Sequence, residues 1–239
     1  MSILALTAGV VGGAALGSLL SARAARHLRK PADRRGRAVL ARMNVSHYQV
    51  TTWGLEHLKI AASFTILDVG CGGGRTIERL AAIASSGKVF GVDYSEASVA
   101  FARETNRDNI DRGRVSIQLG SVSQLPFADG SFDLVTAVET HYYWPDLPND
   151  VREVMRVLKP GGAFAIIAEA YRGRTHDWLF RPTMEWLLRA AYLTPEQHRR
   201  LLSDAGYEDV RVFEEQQKGW IAAIGAKARL SSRPPPSPR

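Results

Sequence analysis

Cysteine is nearly missing from this chain, since Cys71 is the single one among 239 residues. One thiol cannot build an internal disulfide framework, and it cannot supply a cysteine-rich zinc site. Such sparse use of cysteine is typical of proteins in a reducing compartment. Cys71 stands in a glycine-rich stretch, where a small packed residue is a more common role than a nucleophile.

The middle of the chain lacks the basic excess that a net charge of +7 suggests. Residues 1–42 hold eight lysines and arginines against one acid, whereas residues 43–226 hold 19 basic and 23 acidic residues. A nucleic-acid groove normally places its basic residues on the folded domain. We therefore predict no nucleic-acid partner.

Charge is absent from residues 3–20, which are rich in Gly, Ala, Leu and Val. As a helix this stretch would be about 27 Å long, enough to cross a thin hydrocarbon core. Gly9, Gly13 and Gly17 recur every four residues and would share one face of that helix. Such spacing allows two helices to pair closely in lipid, so it permits a homodimer.

Three interpretations of this segment are open. A cleaved signal peptide normally carries positive charge before its apolar run, whereas here the basic cluster follows it. A soluble N-terminal helix is the second interpretation. We favour the third, a membrane anchor in residues 1–22 followed by a basic linker in residues 23–42. The positive-inside rule then places the linker and the rest of the chain on the cytoplasmic side.

Residues 43–228 alternate between strand-like and helix-like patterns, which predicts an α/β domain with a mainly parallel sheet covered on both faces. Strands are predicted at residues 65–69, 88–92, 115–119, 132–138, 163–168, 210–214 and 220–226. Helices are predicted around residues 53–58 and at 76–84, 96–106, 150–158 and 194–205. Residues 229–239 are rich in proline and serine and are predicted to be disordered.

A glycine-rich turn between a strand and a helix carries the strongest functional signal. Residues 68–74 read Asp-x-Gly-x-Gly-x-Gly, and glycines let a ligand approach the backbone while the helix start offers unpaired N–H groups. A dinucleotide fingerprint would need Gly or Ala where Arg75 stands, which disfavours a nicotinamide-dependent oxidoreductase. Asp93 ends the next predicted strand, where an acid can bind both hydroxyls of a ribose.

Two further motifs follow in order, Leu-Pro-Phe-Ala-Asp-Gly-Ser-Phe-Asp-Leu-Val at residues 125–135 and Leu-Lys-Pro-Gly-Gly at residues 158–162. Together these segments resemble the class I S-adenosylmethionine-dependent methyltransferases, and most of all the group with the ubiquinone, menaquinone and sterol enzymes. The resemblance covers residues 43–228. It implies a Rossmann-like three-layer sandwich with a seven-stranded, mainly parallel sheet whose last strand is antiparallel. It also implies S-adenosylmethionine as cofactor.

The same resemblance implies roles for individual residues. Asp68 would hold the amino group of the cofactor, Asp93 its ribose, and Tyr94 would flank the adenine. Many relatives carry Gly-Asp-Ala where this chain has Gly-Ser-Val, so Ser121 can accept one hydrogen bond and Val122 can offer its backbone N–H. The predicted cofactor-binding residues are Asp68, Gly70, Cys71, Gly72, Gly74, Asp93, Tyr94, Ser121, Val122 and Glu139.

An aromatic segment follows the predicted strand 132–138. Because ligands of open α/β sheets bind beyond the carboxyl ends of the strands, we expect the acceptor there. The predicted acceptor pocket consists of Tyr48, Tyr142, Tyr143, Trp144 and Trp178. Alternatively, Tyr142 and Trp144 only pack the next helix. A helix with one apolar face, including Met184 and Leu188, is either a lid over this pocket or an ordinary surface helix.

His141 is the first candidate for a general base and His47 the second, because histidine titrates near neutrality. A structural or substrate-orienting role is the alternative for each. Positioning alone can lower the barrier of an in-line displacement, so a base is not obligatory. We predict no metal ion.

The sequence therefore predicts methyl transfer to a small, apolar acceptor at a membrane surface. Two alternatives remain, a non-catalytic membrane adaptor that binds S-adenosylmethionine and a protein methyltransferase. The chain lacks the Asn/Asp-Pro-Pro-Tyr/Phe motif of many amino-group nucleic-acid methylases.

Overall fold

A computed structural model describes residues 33–174 and 177–229. The predicted apolar helix of residues 1–22, with Gly9, Gly13 and Gly17, lies outside the described residues, as does the proline-rich tail from residue 230. Within the described ranges, no helix has the length and apolar character needed to span a bilayer.

A single sheet forms the middle layer of the fold. Its strands are β1 (Thr65–Val69), β2 (Lys88–Asp93), β3 (Val115–Leu119), β4 (Phe132–Val138), β5 (Leu158–Ala168), β6 (Glu208–Glu215) and β7 (Trp220–Ala226). Their order is β3-β2-β1-β4-β5-β7-β6. The first five strands are parallel, and β7 pairs antiparallel with both β5 and β6. The predicted seven-stranded, mainly parallel sheet with an antiparallel last strand is confirmed.

Helices cover both faces of this sheet. They are α1 (Asp33–Ser46), α2 (Tyr48–Glu56), α3 (Arg75–Ile83), α4 (Glu96–Thr105), α5 (Arg107–Asp111), α6 (Leu147–Val157), α7 (Asp177–Pro182) and α8 (Pro195–Asp204). A 3₁₀ turn covers His141–Tyr143, and a π-helical turn covers Thr183–Leu187.

Alternation along the central strands divides the core into two layers. Ile66 and Leu134 pack into one hydrophobic cluster, whereas their neighbours Leu67 and Val135 pack into the other. This is the period of two that a strand buried on both faces requires. The result is a three-layer α/β sandwich in which the carboxyl ends of β1, β2 and β4 lie at one edge.

The helix ends follow local chemistry. The side chain of Thr194 accepts a hydrogen bond from the backbone N–H of Gln197, whose side chain accepts one from the N–H of Thr194, so α8 begins with a capping box. Ser95 caps α4 through the N–H of Ser98. Helix α6 ends at Val157, and β5 begins at Leu158, so the strand starts five residues earlier than the predicted residue 163.

Residues 33–42, predicted as part of a basic linker, are instead the first part of helix α1. Leu40 is buried, and the guanidinium of Arg37 donates to both carboxylate oxygens of Glu104 on α4, at 2.8 and 2.6 Å. The pair is exposed and adds little stability, but it shows α1 docked on the domain. The many arginines of this segment favoured the linker prediction, although the segment also has a short apolar face that includes Leu40.

The amphipathic helix expected around residues 184–191 is also corrected. The chain forms the short helix α7 and the π-helical turn, which ends at Leu187. Met184 and Leu188 are buried in a cluster with Tyr171 and Tyr192. The segment therefore packs on the core next to Tyr142 and Tyr143, and the choice between an ordinary helix and a lid stays open.

Candidate active site

A cavity of about 630 Å³ opens at the carboxyl ends of β1, β2 and β4. Its volume lies within the range of small-molecule sites. The predicted residues that line it are Asp68, Gly70, Cys71, Gly72, Asp93, Tyr94, Ser121, Val122 and Glu139, with His47, Tyr48, Tyr142, Tyr143 and Trp144. The structure therefore brings most of the two predicted residue sets to one space.

The glycine turn forms one wall because its backbone is tied to β2. The N–H groups of Gly70 and Cys71 both donate to the carbonyl of Val92, at 2.7 and 3.0 Å. Gly72 lines the cavity with a φ of +51°, and a Cβ added there would have no atom nearer than 4.0 Å. The absence of that side chain leaves room for a ligand against the backbone.

Asp93 joins the glycine turn to the start of α4. Its two carboxylate oxygens accept hydrogen bonds from the N–H groups of Gly72 and Ser95, both at 2.9 Å. A carboxylate has further lone pairs after these two bonds. Asp93 can therefore hold the turn in place and still accept hydrogen bonds from ribose hydroxyls.

Asp68 is a buried acid at the end of β1. Its Oδ1 accepts a hydrogen bond from the hydroxyl of Thr136 at 2.7 Å. Burial raises the pKa of Asp68 to about 7, the Thr136 hydrogen bond opposes the rise, and the charge of Asp93 adds to it. A cation placed beside Asp68 would return it to the charged form.

This environment predicts a pH dependence of cofactor binding. If ionised Asp68 holds the α-ammonium of S-adenosylmethionine, protonation of Asp68 on acidification removes that pairing. Between pH 7 and pH 5.5 the affinity should fall more than about tenfold, as expected for a group that must be deprotonated to bind. Isothermal calorimetry at several pH values measures this. In Asp68→Asn the affinity should be weaker throughout and flat over the same range; an equally steep slope would contradict the assignment.

Cys71 is a free thiol packed in the turn. Burial, together with the charges of Asp93 and Asp68, raises its pKa well above the usual range. The thiol is therefore uncharged at neutral pH, which supports the interpretation as a small packed residue over that of a nucleophile.

Gly74 was predicted to contact the cofactor, but it does not line the cavity. It precedes α3 with a φ of +80°, and its carbonyl accepts a hydrogen bond from Nδ2 of Asn106 at 2.9 Å. A Cβ there would lie 2.8 Å from the Cα of Ala102. The last glycine of the motif thus allows close packing of α3 and α4.

The aromatic residues divide between wall and core. The hydroxyl of Tyr142 donates to the carbonyl of Ala170 at 2.9 Å, which holds the ring at the cavity. Trp144 lines the cavity with one edge and stacks on Phe164, with ring centroids 6.1 Å apart. Trp178 is a correction: its side chain on α7 is 72% exposed and lies outside the cavity lining.

The structure also corrects the choice of His141 as the first candidate base. Its imidazole is fully buried, its Nε2 lies 3.3 Å from Nε2 of His198, and it is not among the cavity-lining residues. Burial, and then the neighbouring His198, lower the pKa of His141 well below its ordinary value. His141 is a core residue, whereas His47 faces the cavity.

One group of residues was not anticipated as a unit. His47, Glu139 and Glu169 converge beside the aromatic wall, with Nε2 of His47 3.9 Å from Oε1 of Glu169. Oε1 of Glu139 accepts a hydrogen bond from the backbone N–H of Glu169. Burial, and then the charge of Glu169, raise the pKa of Glu139 well above its usual range.

A signal for Glu169 was present in the sequence. Glu139 directly follows β4, and Glu169 directly follows the adjacent parallel strand β5. The carboxyl ends of neighbouring parallel strands meet at one edge of the sheet, so the two acids had to be close.

The residues present fit S-adenosylmethionine. Gly72, Asp68 and Asp93 line one cavity, where they would hold the methionine part, the ammonium and the ribose of the cofactor respectively. The same cavity is also lined by the aromatic residues Tyr48, Tyr142, Tyr143 and Trp144.

Comparison with known proteins finds methyltransferases. The family model described as a methyltransferase domain matches residues 67–166. The chain is 40% identical to a demethylmenaquinone methyltransferase of Symbiobacterium thermophilum, over 69% of this chain and 76% of the relative. It is 38% identical to the methyltransferase GfsG of Streptomyces halstedii, over 51% of this chain but only 44% of that longer protein.

Solved structures show the same fold. A SAM-dependent methyltransferase from Aquifex aeolicus superposes with a TM-score of 0.64 at 20% identity, over 80% of this chain and 97% of the other. At that identity the likeness concerns the fold alone. The sequence relationship, however, extends over most of a demethylmenaquinone methyltransferase. The chain belongs to the class I S-adenosylmethionine-dependent methyltransferases, and its cofactor is S-adenosylmethionine.

Proposed function

We propose that this enzyme methylates a hydroxyl group of a small, largely apolar acceptor at a membrane surface. The observation that carries the proposal is the continuity of the cavity from the buried acids Asp68 and Asp93 to an aromatic wall. An acceptor enclosed by Tyr48, Tyr142 and Tyr143 would gain binding energy mainly from apolar contact.

The names of the relatives support a small-molecule acceptor. They include proteins named as demethylmenaquinone, 27-O-demethylrifamycin SV and sterol 24-C methyltransferases. The second name states transfer to oxygen, which is the acceptor atom that we propose here.

His47 is placed to assist the transfer. When bound, S-adenosylmethionine supplies a methyl group activated by its sulfonium. A lone pair of the acceptor oxygen would form the bond to this methyl carbon, and the electrons of the broken carbon–sulfur bond would remain on the sulfur of S-adenosylhomocysteine. The proton of the acceptor hydroxyl passes to Nε2 of His47, which faces the cavity and lies 3.9 Å from Glu169. That carboxylate would stabilise the imidazolium.

The membrane context is part of the proposal and depends on residues outside the described ones. The uncharged stretch 3–20 and the basic residues that follow it support an anchor with the catalytic domain on the cytoplasmic side. An apolar acceptor dissolved in the bilayer would then reach the cavity without crossing water. Pairing through Gly9, Gly13 and Gly17 remains a proposal for a dimer.

The experiment is an acceptor screen with the full-length chain in detergent. Phenols, quinols and apolar alcohols are compared with thiols and amines of similar size, and products are identified by mass spectrometry together with S-adenosylhomocysteine. We expect O-methylated products from apolar hydroxyl compounds. Turnover confined to thiols, amines or highly polar acceptors would contradict the proposal.

A substitution in the aromatic wall tests the location of the acceptor. Tyr143→Ala should raise the acceptor KM about tenfold or more, because burial of an aromatic side chain against a ligand is worth about 1.5–3 kcal/mol. The affinity for S-adenosylmethionine should change little. Trp178→Ala is the matched control, since Trp178 is an exposed aromatic residue outside the cavity. Equal effects of the two substitutions would place the acceptor elsewhere.

A further inference from the structure

We propose that His47, Glu139 and Glu169 form a binding site for one divalent first-row transition-metal ion on the acceptor side of the cavity. The three residues come from three places in the fold. His47 lies between α1 and α2, Glu139 follows β4, and Glu169 follows β5. All three are buried or nearly so, and each offers a ligand atom to the same point.

The distances suit a single ion after a small adjustment. The three ligand atoms all lie within 4.8 Å of one another, and Nε2 of His47 is 3.9 Å from Oε1 of Glu169. An ion with bonds of about 2.1 Å holds its ligand atoms about 3–4 Å apart. Side-chain shifts of less than about 1 Å would therefore complete the site.

Two of the ligand atoms accept no hydrogen bond from the described residues. Nε2 of His47 and Oε2 of Glu139 are buried, and neither has a hydrogen-bond partner there. Glu139 is only 5% exposed, so solvent does not satisfy its second oxygen. Buried polar atoms without partners are rare and costly, and one metal ion would satisfy both.

The backbone holds Glu139 in place for this role. Its φ is +59°, which is unusual for a residue other than glycine, and the N–H of Glu169 donates to its Oε1. One carboxylate oxygen is thus occupied by the protein while the other remains directed at the cluster. Ligating carboxylates in metal sites are commonly oriented by such second hydrogen bonds.

Arg174 is the competing source of positive charge. Its Nη1 donates to the main-chain carbonyl of Glu169 at 2.9 Å, so its guanidinium lies near the two carboxylates. It would contribute to their charge balance in either case. A guanidinium can donate to a neutral imidazole nitrogen, but Nε2 of His47 accepts no hydrogen bond from Arg174 or from any other described residue.

The ligand set indicates the class of ion. One imidazole and two carboxylates suit Zn²⁺, Mn²⁺, Fe²⁺ or Co²⁺, and three protein ligands leave open coordination positions. In the function proposed above, an acceptor hydroxyl would occupy one of these positions, where the ion would orient it and lower its pKa. That role rests on the proposed function, whereas ion binding itself does not. In the metal-bound form Nε2 of His47 ligates the ion and cannot also accept the proton, so the lowered pKa of the bound hydroxyl would take the place of His47 as base.

The test is metal binding by the full-length, tag-free chain in detergent, without cofactor or acceptor. The protein is stripped with a chelator and titrated with Co²⁺, which reports protein coordination through its visible absorption, and then with competing Zn²⁺. We expect one equivalent of Co²⁺ with a ligand-field spectrum that Zn²⁺ abolishes. Glu139→Gln and His47→Asn should each weaken binding by at least about tenfold.

Glu196→Gln is the matched control, because Glu196 is an exposed acid on α8 that does not line the cavity. The Co²⁺ affinity of this variant should equal that of the wild type. Circular dichroism and an unchanged urea-unfolding midpoint show that each variant is folded. Failure of the folded wild type to bind Co²⁺, or equal binding by Glu139→Gln, would overturn the site. Because no acceptor is present, this result is independent of the acceptor screen.

Discussion

Asp93→Ala is expected to weaken the binding of S-adenosylmethionine at least about 100-fold. The substitution removes the predicted ribose contacts, and each hydrogen bond to a charged group is worth about 1.5–3 kcal/mol. It also removes the acceptor of the N–H groups of Gly72 and Ser95, which fixes the glycine turn against α4. The loss of two such contacts corresponds to about 3 kcal/mol or more, hence the 100-fold expectation.

Calorimetric titration of the full-length chain with S-adenosylmethionine measures this effect. Asp93→Asn keeps one carbonyl oxygen and should have an intermediate affinity. Ser121→Ala removes one predicted adenine contact and should cost less than either substitution of Asp93. Circular dichroism verifies that the variants remain folded. A folded Asp93→Ala protein that binds within about threefold of the wild type would mean that the ribose lies elsewhere.

The central strands could be predicted residue by residue because burial on both faces leaves a continuous apolar signal. The observed bounds of β1, β3, β4 and β7 equal the predicted ones. For β1 and β4, in the middle of the sheet, local pattern and tertiary environment agree because both faces are buried. The edge strand β3 is instead marked by alternation of buried and exposed residues. The start of β5 differs from the predicted one because Leu158 already pairs with Phe132 of β4, whereas Lys-Pro-Gly-Gly forms an irregularity before regular pairing resumes at Ala163.

The sequence could not assign residues whose role depends on the direction in which the side chain points and not on their spacing along the chain. His141 and Tyr142 are adjacent, yet the imidazole turns into the core toward His198 while the tyrosine ring reaches the cavity. Trp178 on α7 is exposed, whereas Trp144 is packed on Phe164. The short 3₁₀ turn His141–Tyr143 sets the opposite directions of His141 and Tyr142, and no periodic pattern predicts such a turn.

The clustering of His47, Glu139 and Glu169 shows a different limit. Each acid can be placed at a strand end from the sequence, and His47 and Tyr48 were expected at the site. The sequence does not show, however, that His47, about 90 residues before Glu139, meets both acids. Helix α1 carries too many arginines for its buried face, which includes Leu40, to stand out. The three residues therefore come together only through tertiary contacts. The prediction of no metal ion rests on the sequence, which does not show those contacts.

Gly70→Ala is expected to destabilise the fold by about 3 kcal/mol or more and to reduce the affinity for S-adenosylmethionine at the same time. Gly70 has a φ of +74°, which costs about 1–2 kcal/mol for a residue with a side chain. A Cβ at this position would also collide with the hydroxyl of Thr140. Overpacking of this kind typically adds about 1–3 kcal/mol.

Gly130→Ala separates the two contributions, because Gly130 has a φ of +64° but nothing lies within 4 Å of the added Cβ. It should lose only about 1–2 kcal/mol in urea unfolding, and cofactor affinity should be unchanged. In the double variant Gly70→Ala/Thr140→Gly the colliding side chain is gone, so part of the lost stability should return and only the backbone strain remain. If Gly70→Ala were no less stable than Gly130→Ala, the contact between the glycine turn and Thr140 would not constrain this site. The turn would then be held by its hydrogen bonds to Val92 and Asp93 alone.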